Sequence, residues 1–560
     1  MDRYLTLLCL APILYTIYRC FTGTSLSRVR GPKPTSFLFG NLPELYQGQA
    51  GEADFRWQRL YGDVIRVKGI LGVSMLLGDM AFVLTFVLGC RRINLWLLIR
   101  KLCHGFLPLP RIISQSHLER RVQSLILNGK SVVWAEGDIH KRQRKILNPG
   151  FGGAESRAFL VISQASAERL SMTWSETIEA NNGDKVVLDI PSWISRATLD
   201  AIAEAAFDIR LGCLRNSDNA LAKSYNGMLM NVYGTPSSIQ IFIQEALKYI
   251  PTSILTYWAK HSSNRRVVRI RETRKVATAI AESMVKEKAE FLLQGKGGRD
   301  IFTLLGEYDM RKHKLSDEEL YSQMRIILIA GQESTSHTIN WTLLELARKP
   351  EIQSRLRSEI TQHESAIHAR GDTQFTASDL DNMLYLNAII KEALRYHCAA
   401  AQVFRVASQD CILPLSRPIT TESGELMYEV LVPKGTRIIA SVAAYNRNKD
   451  MWGEDADVFN PGRWLDGIAK DKKEAATGVY SSLLTFGGGH RACLGWRFAV
   501  IEIQAFLVEI VRKFEISLTE KARRIRRESC LVMVPTVEGE VTRGVQLPLA
   551  ISITPRNRDE

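Results

Sequence analysis

A single thiol, Cys493, stands in the run Phe486-Gly-Gly-Gly-His-Arg-Ala-Cys-Leu-Gly495. Glycines let backbone N–H groups come close to the sulfur, where a Cβ would obstruct the approach. His490 and Arg491 supply two candidate cations, and the helix-like run Trp496 to Lys513 places a helix N-terminus just downstream. Donors, cations and a helix N-terminus all favour thiolate over thiol. A thiolate held in this way suits an iron ligand; the plainer alternative is a structural cysteine in a glycine turn.

A second chemical run is Ala330-Gly-Gln-Glu-Ser-Thr335, inside a long apolar stretch. Its small residues let a flat cofactor and dioxygen lie against a helix backbone. A hydroxyl that bonds back to a preceding carbonyl can loosen the helix and admit water. Glu333 and Ser334 then form an acid–alcohol pair able to pass protons, with Thr335 as a second hydroxyl. A third pattern is Glu392-Ala-Leu-Arg395, whose spacing puts acid and base on one helix face. Alone it says little, because such pairs are common on surfaces. Phe459-Asn-Pro-Gly-Arg463-Trp lies between it and the cysteine run.

Taken in order, these runs resemble those of the cytochrome P450 family: Ala-Gly-x-Glu/Asp-Thr, Glu-x-x-Arg, Pro-x-Arg and Phe-Gly-x-Gly-x-Arg-x-Cys-x-Gly. The wording Trp134-Ala-Glu-Gly-Asp-Ile-His-Lys-Arg-Gln-Arg144 is most similar to fungal microsomal members. The resemblance implies haem b, with Cys493 as axial ligand in a loop that also holds Phe486 and His490. It implies that Glu392, Arg395 and Arg463 form a buried structural triad, and that His140, Arg144, Arg405 and Arg491 meet the two haem carboxylates. It implies catalytic roles for Glu333 and Ser334, or Thr335. Two positions depart from the family pattern. Ser334 replaces the usual threonine, keeping the hydroxyl but losing the methyl that orients it, and His140 replaces a tryptophan while keeping a donor.

The implied activity is a monooxygenase that inserts one atom of O2 into a hydrophobic substrate of the terpenoid, steroid or polycyclic aromatic class. Electrons would come from NADPH through NADPH-cytochrome P450 reductase. Two rivals stand beside it: a haem-thiolate isomerase or peroxygenase needing no reductase, and an inactive haem-binding protein. The distal wall is expected to include Ile326, Ile327 and Ile329, the stretch 399–404, and a turn near Val532 to Val537.

The implied fold is mainly α with small β-sheets. The 560 residues are 46% hydrophobic, enough for a large core, and carry a formal charge of +14. The basic residues are dispersed and match no nucleic-acid module, so an acidic partner or an anionic membrane is expected instead. Nine cysteines without a C-x-x-C pair argue against zinc and against a disulfide framework. Tyr4 to Tyr18 is apolar, a length that also suits a signal-peptide core, but Arg19, Arg28, Arg30 and Lys33 follow it, the pattern of a membrane anchor with a cytosolic body. The expected organisation is an anchor over 1–20, a basic proline-containing hinge over 21–34 and a catalytic domain over 35–560, on the endoplasmic reticulum membrane. Val64–Lys68 and Val73–Leu77 read as paired strands. Ser195–Phe207, Val267–Ala289 and Tyr385–Tyr396 read as helices, and Ser316-Asp-Glu-Glu319 as a capping box opening the long helix. The stretch 80–121 is atypical and leaves three readings open: a membrane-dipping lid, a substrate-access loop, or translated non-coding sequence.

Overall fold

Ser316 and Glu319 make the two reciprocal hydrogen bonds their spacing predicts: Glu319 N–H donates to Ser316 Oγ (3.3 Å) and Ser316 N–H to Glu319 Oε2 (3.1 Å). They start the helix Asp317–Arg348, which runs 32 residues, about 48 Å at 1.5 Å per residue, and stops before Pro350. The structure is a computed structural model describing residues 25–79, 124–183, 185–216, 218–247, 250–293, 315–465 and 478–554. The expected anchor and the stretch 80–121 lie outside the described residues. Among the described residues no helix is long and apolar enough to cross a membrane.

The helices that build the site are α1 (Gly137–Leu147), α2 (Leu160–Glu179), α3 (Ile190–Phe207), α4 (Arg265–Leu293), α5 (Asp317–Arg348), α6 (Leu384–Tyr396) and α7 (Trp496–Lys513). α3 begins five residues before the expected Ser195, because Pro191 falls in the first turn, where its missing N–H costs nothing. α5 packs against α3, α4, α6 and α7, and α7 against α2. Fully buried side chains such as Trp174, Leu343, Ile389, Phe506 and Phe514 form the main core between them. Burial of each contributes roughly 1.5–3 kcal/mol.

The strands form small sheets. β1 (Val64–Lys68) and β2 (Ser74–Asp79) make the expected antiparallel pair, with Lys68 opposite Ser74. Val73 falls in the turn rather than the strand, because its carbonyl accepts the Gly69 N–H at 2.7 Å. The sheet continues through a parallel partner to the order β1-β2-β7-β4, with β4 Gln402–Val406 and β7 Arg437–Ser441. β3 (Val186–Asp189), β11 (Pro548–Ile553) and β8 (Phe514–Leu518) form a second sheet, in that order. β5 (Cys411–Thr420) pairs with β6 (Leu426–Val432), and β9 (Ile525–Cys530) with β10 (Val532–Val537). Val532–Val537 is therefore a strand rather than the expected turn. The reversal is at Leu531, with φ +76°.

The described part of the hinge lies against the first sheet. Leu26 and Val29 are buried, Arg66 N–H donates to Arg30 O at 2.9 Å, and Arg66 Nη1 reaches Ser27 O at 2.7 Å. A Cβ on Gly31 would stand 1.9 Å from Arg66 O, so only glycine fits there.

Candidate active site

The cysteine loop is held by its own backbone. Gly487 and Gly489 take φ of +66° and +62°, a region that side chains rarely adopt. Cys493 N–H donates to Phe486 O at 2.8 Å, Gly487 N–H to Leu484 O at 2.9 Å, and Ala492 N–H to Gly489 O at 3.1 Å. The Phe486 ring packs edge-on against Tyr480 at 5.9 Å. Cys493 lies deep enough that burial is the strongest influence on its thiol and raises its pKa, opposed by the Gly495 N–H and the Arg144 guanidinium. The residue nevertheless keeps exposed surface. The sequence points to His490 and Arg491 as the cations favouring thiolate. In the structure the cation acting on the sulfur is Arg144, and burial together with Arg491 lowers the His490 pKa.

Residues of α1 and of β4 converge on this loop. Arg144, on α1, donates Nη1 to Ala492 O at 2.8 Å, next to the cysteine. Arg491 donates to Ala135 O and pairs with Glu136. The His140 and His490 rings meet edge-on at 6.0 Å. Arg405, on β4, acts on His490 from the sheet side. His140 is buried among Arg491, Arg144 and His490, and burial together with these cations lowers its pKa to about 3. It is therefore a neutral donor. The middle of α1 is fixed to the start of α5, where Arg142 and Gln143 both donate to Glu319.

This donor set fits a haem. Cys493 offers one sulfur, and among the described residues no cluster of three or more His, Cys, Asp or Glu could complete a metal site. An iron at the sulfur would take its remaining ligands from a prosthetic group. Arg144, Arg405, Arg491 and neutral His140 outnumber the lone carboxylate Glu136 and suit a dianionic edge.

The Glu392–Arg395–Arg463 triad is assembled as expected. All three are at most 2% exposed. Arg395 grips Glu392 through two bonds of 2.8 and 2.9 Å, and Arg463 Nε reaches Glu392 Oε1 at 3.1 Å. Three further members join it, two of them from the quoted run around Arg463: Trp464 Nε1–H donates to Glu392 Oε2 (2.9 Å), Asn460 N–H to Oε1 (2.7 Å), and Asp455 takes two bonds from Arg463.

α5 is buried along most of its length, yet Gln332–Thr342 is largely polar. Gly331 does not face the site, since a Cβ there would lie 2.6 Å from Ile202 of α3. That glycine therefore serves helix packing against α3. Ala330 is exposed amid buried neighbours, and Ser334, one turn on, is half-buried. Ser334 Oγ donates to Ala330 O at 2.8 Å, the back-bond expected from the sequence. Thr335 is different: it is buried, and its neighbour is Glu502 of α7. The two hydroxyls therefore face different surroundings, and the one on the open side is Ser334. Glu333 is buried and pairs with His337 (3.1 Å). His337 and Glu502 were both missed in the sequence. The i, i+4 spacing would have disclosed the first; a lone acid in the apolar α7 run was the only sign of the second.

Comparison with known proteins agrees with this geometry. Residues 113–543 match the family described as Cytochrome P450. Cytochrome P450 monooxygenase 205 of Postia placenta is 29% identical over 549 residues, covering 94% of this chain and 92% of the relative. Cytochrome P450 monooxygenase claO of Ampulloclitocybe clavipes is 30% identical over 542 residues, covering 93% and 92%. With its thiol loop, its cation cluster and its buried triad in this order, the chain belongs to the cytochrome P450 family, whose members carry a haem-thiolate cofactor.

Proposed function

We propose that this P450 monooxygenase uses haem b to insert one atom of O2 into a terpenoid, steroid or polycyclic aromatic. In this reading electrons come from NADPH through a reductase, and the protein is held on the endoplasmic reticulum membrane by residues 1–20 with its body facing the cytosol. The observation that carries it is Cys493, deep in the protein yet exposed, with the Gly495 N–H and Arg144 turned on its sulfur. When bound, the haem supplies dioxygen activation, which thiolate ligation favours over reversible oxygen carriage.

The chain's own residues do the rest. Cys493 would hold the iron, and Arg144, Arg405, Arg491 and His140 the carboxylates. Ser334 presents its hydroxyl on the open side of α5, and Glu333 lies one residue before it as a proton store. Ile327, Ile329, Phe207, Leu229 and Val534 form one apolar cluster, which excludes water and suits a hydrophobic substrate. The dispersed positive charge suits an acidic reductase face or an anionic lipid surface.

The test is the absorption spectrum of the reduced, carbon monoxide-bound protein, expressed with and without residues 80–121. A strongly red-shifted Soret band is expected, and Cys493→Ser should abolish it. A band that survives the substitution would overturn the ligand assignment. Consumption of NADPH and O2 with added reductase separates a monooxygenase from an isomerase.

A further inference from the structure

Among the described residues Glu333 pairs with one ionisable side chain. His337 Nε2 stands 3.1 Å from Glu333 Oε2, and Asn340 Nδ2 stands 3.3 Å from His337 Nδ1. Glu333 and His337 are each 5% exposed, and Asn340 is 0%. An i, i+4 pair on a helix surface is commonplace and weak. This pair is buried on a helix that is enclosed on most sides, so it is neither screened nor replaceable by water. Among the described residues no lysine or arginine pairs with Glu333, and Oε1 has no hydrogen-bond partner.

A neutral imidazole has one donor nitrogen and one acceptor. The Asn340 Nδ2 amide can only donate, so it makes His337 Nδ1 the acceptor and places the ring proton on Nε2. That proton points at the Glu333 carboxylate. The reverse amide orientation would bury both N–H donors of Asn340 without a partner; the present one pairs one of them and leaves Oδ1 unpartnered. Orphaned donors are the rarer and costlier outcome. The two other titratable groups acting on this carboxylate's surroundings, Tyr225 and Cys530, are pushed upward chiefly by burial and stay uncharged.

We propose that His337 is a positioning residue for Glu333: Asn340 fixes its tautomer, and its Nε2–H holds one carboxylate oxygen so that the other is left to exchange protons. The inference rests on the monooxygenase reading above and names the group through which its acid is controlled.

The experiment uses the full chain with haem and reductase. Pyrene, testosterone and limonene serve as polycyclic, steroid and terpenoid probes, and the one turned over fastest by the wild type is retained. Product per NADPH and hydrogen peroxide per NADPH are measured for His337→Ala, His337→Gln, Glu333→Ala and the Glu333→Ala/His337→Ala pair. His337→Ala should lower product per NADPH about tenfold, with peroxide rising in step. His337→Gln keeps an N–H directed at Glu333 and should return coupling to within about threefold of wild type. In the Glu333→Ala background the alanine at 337 should add nothing, because residues acting as a unit are not additive. An equal loss in both backgrounds, or no rescue by glutamine, would show a merely structural role and overturn the proposal. A second readout needs no turnover: nitrogen NMR of histidine-labelled protein should place the His337 proton on Nε2, and Asn340→Leu should release it to both nitrogens. A proton on Nδ1 would overturn the proposal. If no probe is turned over, the substrate reading fails while the NMR result still decides the role of His337.

Discussion

The buried polar groups around Glu392 and those along α5 are treated in opposite ways. Around Glu392 the carboxylate and guanidinium atoms are matched, by one another, by Trp464, Asn460 and Asp455, and by backbone carbonyls such as those of Asn446 and Ala456. Along α5 and the face of α7 opposite it, buried polar atoms are left unmatched: Thr335 Oγ1, Asn340 Oδ1, Gln332 Oε1 and both oxygens of Glu502. A fully satisfied network is rigid. An unsatisfied one costs stability and can change partners. The first arrangement suits a support that must not move, and the second a path along which protons do.

The largest test strikes the satisfied side. Glu392→Ala leaves Arg395 and Arg463 buried without their shared acid and should cost roughly 3–5 kcal/mol, read by thermal unfolding and haem retention. A loss below about 1 kcal/mol would dissolve the contrast. Next, Glu502→Leu removes a fully buried carboxyl whose pKa burial holds well above the ordinary value. It should raise stability by about 1–3 kcal/mol, because the desolvation penalty that disappears outweighs the one contact with the Thr335 hydroxyl. Destabilisation by that mutation would mean Glu502 is matched after all.

A pH titration comes third. The folded pKa of His140 is about 3, below the unfolded value near 6.5, so the unfolded chain takes up the proton first as pH falls. Stability from keeping His140 neutral is full above about 6.5 and lost progressively toward 3. The melting temperature of His140→Gln should therefore fall less steeply than wild type between pH 6.5 and 4. The smallest effect separates the hydroxyls. Ser334→Thr restores a methyl on the open side and should change product per NADPH by no more than about threefold. Thr335→Val should leave it unchanged, and a larger loss from valine would give Thr335 the role assigned to Ser334.

Local patterns in the sequence foretold local structure. The capping box at Ser316, both ends of α7 and the Glu392–Arg395 face follow from spacing that each segment carries by itself. Patterns of this kind do not report what approaches from elsewhere. The carbonyls of Asn446, Ala456 and Val458 that receive Arg395 lie more than fifty residues away. The parallel pairing of β2 with β7 joins strands more than 350 residues apart. Gly331 shows the reverse case, a motif residue correctly singled out whose space is filled by Ile202 of a different helix.

Gly31 has a mechanical consequence. Its backbone rests directly on the Arg66 carbonyl, and Arg30 is bonded to the same residue, so the chain here has no slack. A load applied ahead of residue 25 would pass straight into the edge of the β1-β2-β7-β4 sheet. A tether attached there would thus fix the tilt of the whole body as well as its distance from the point of attachment.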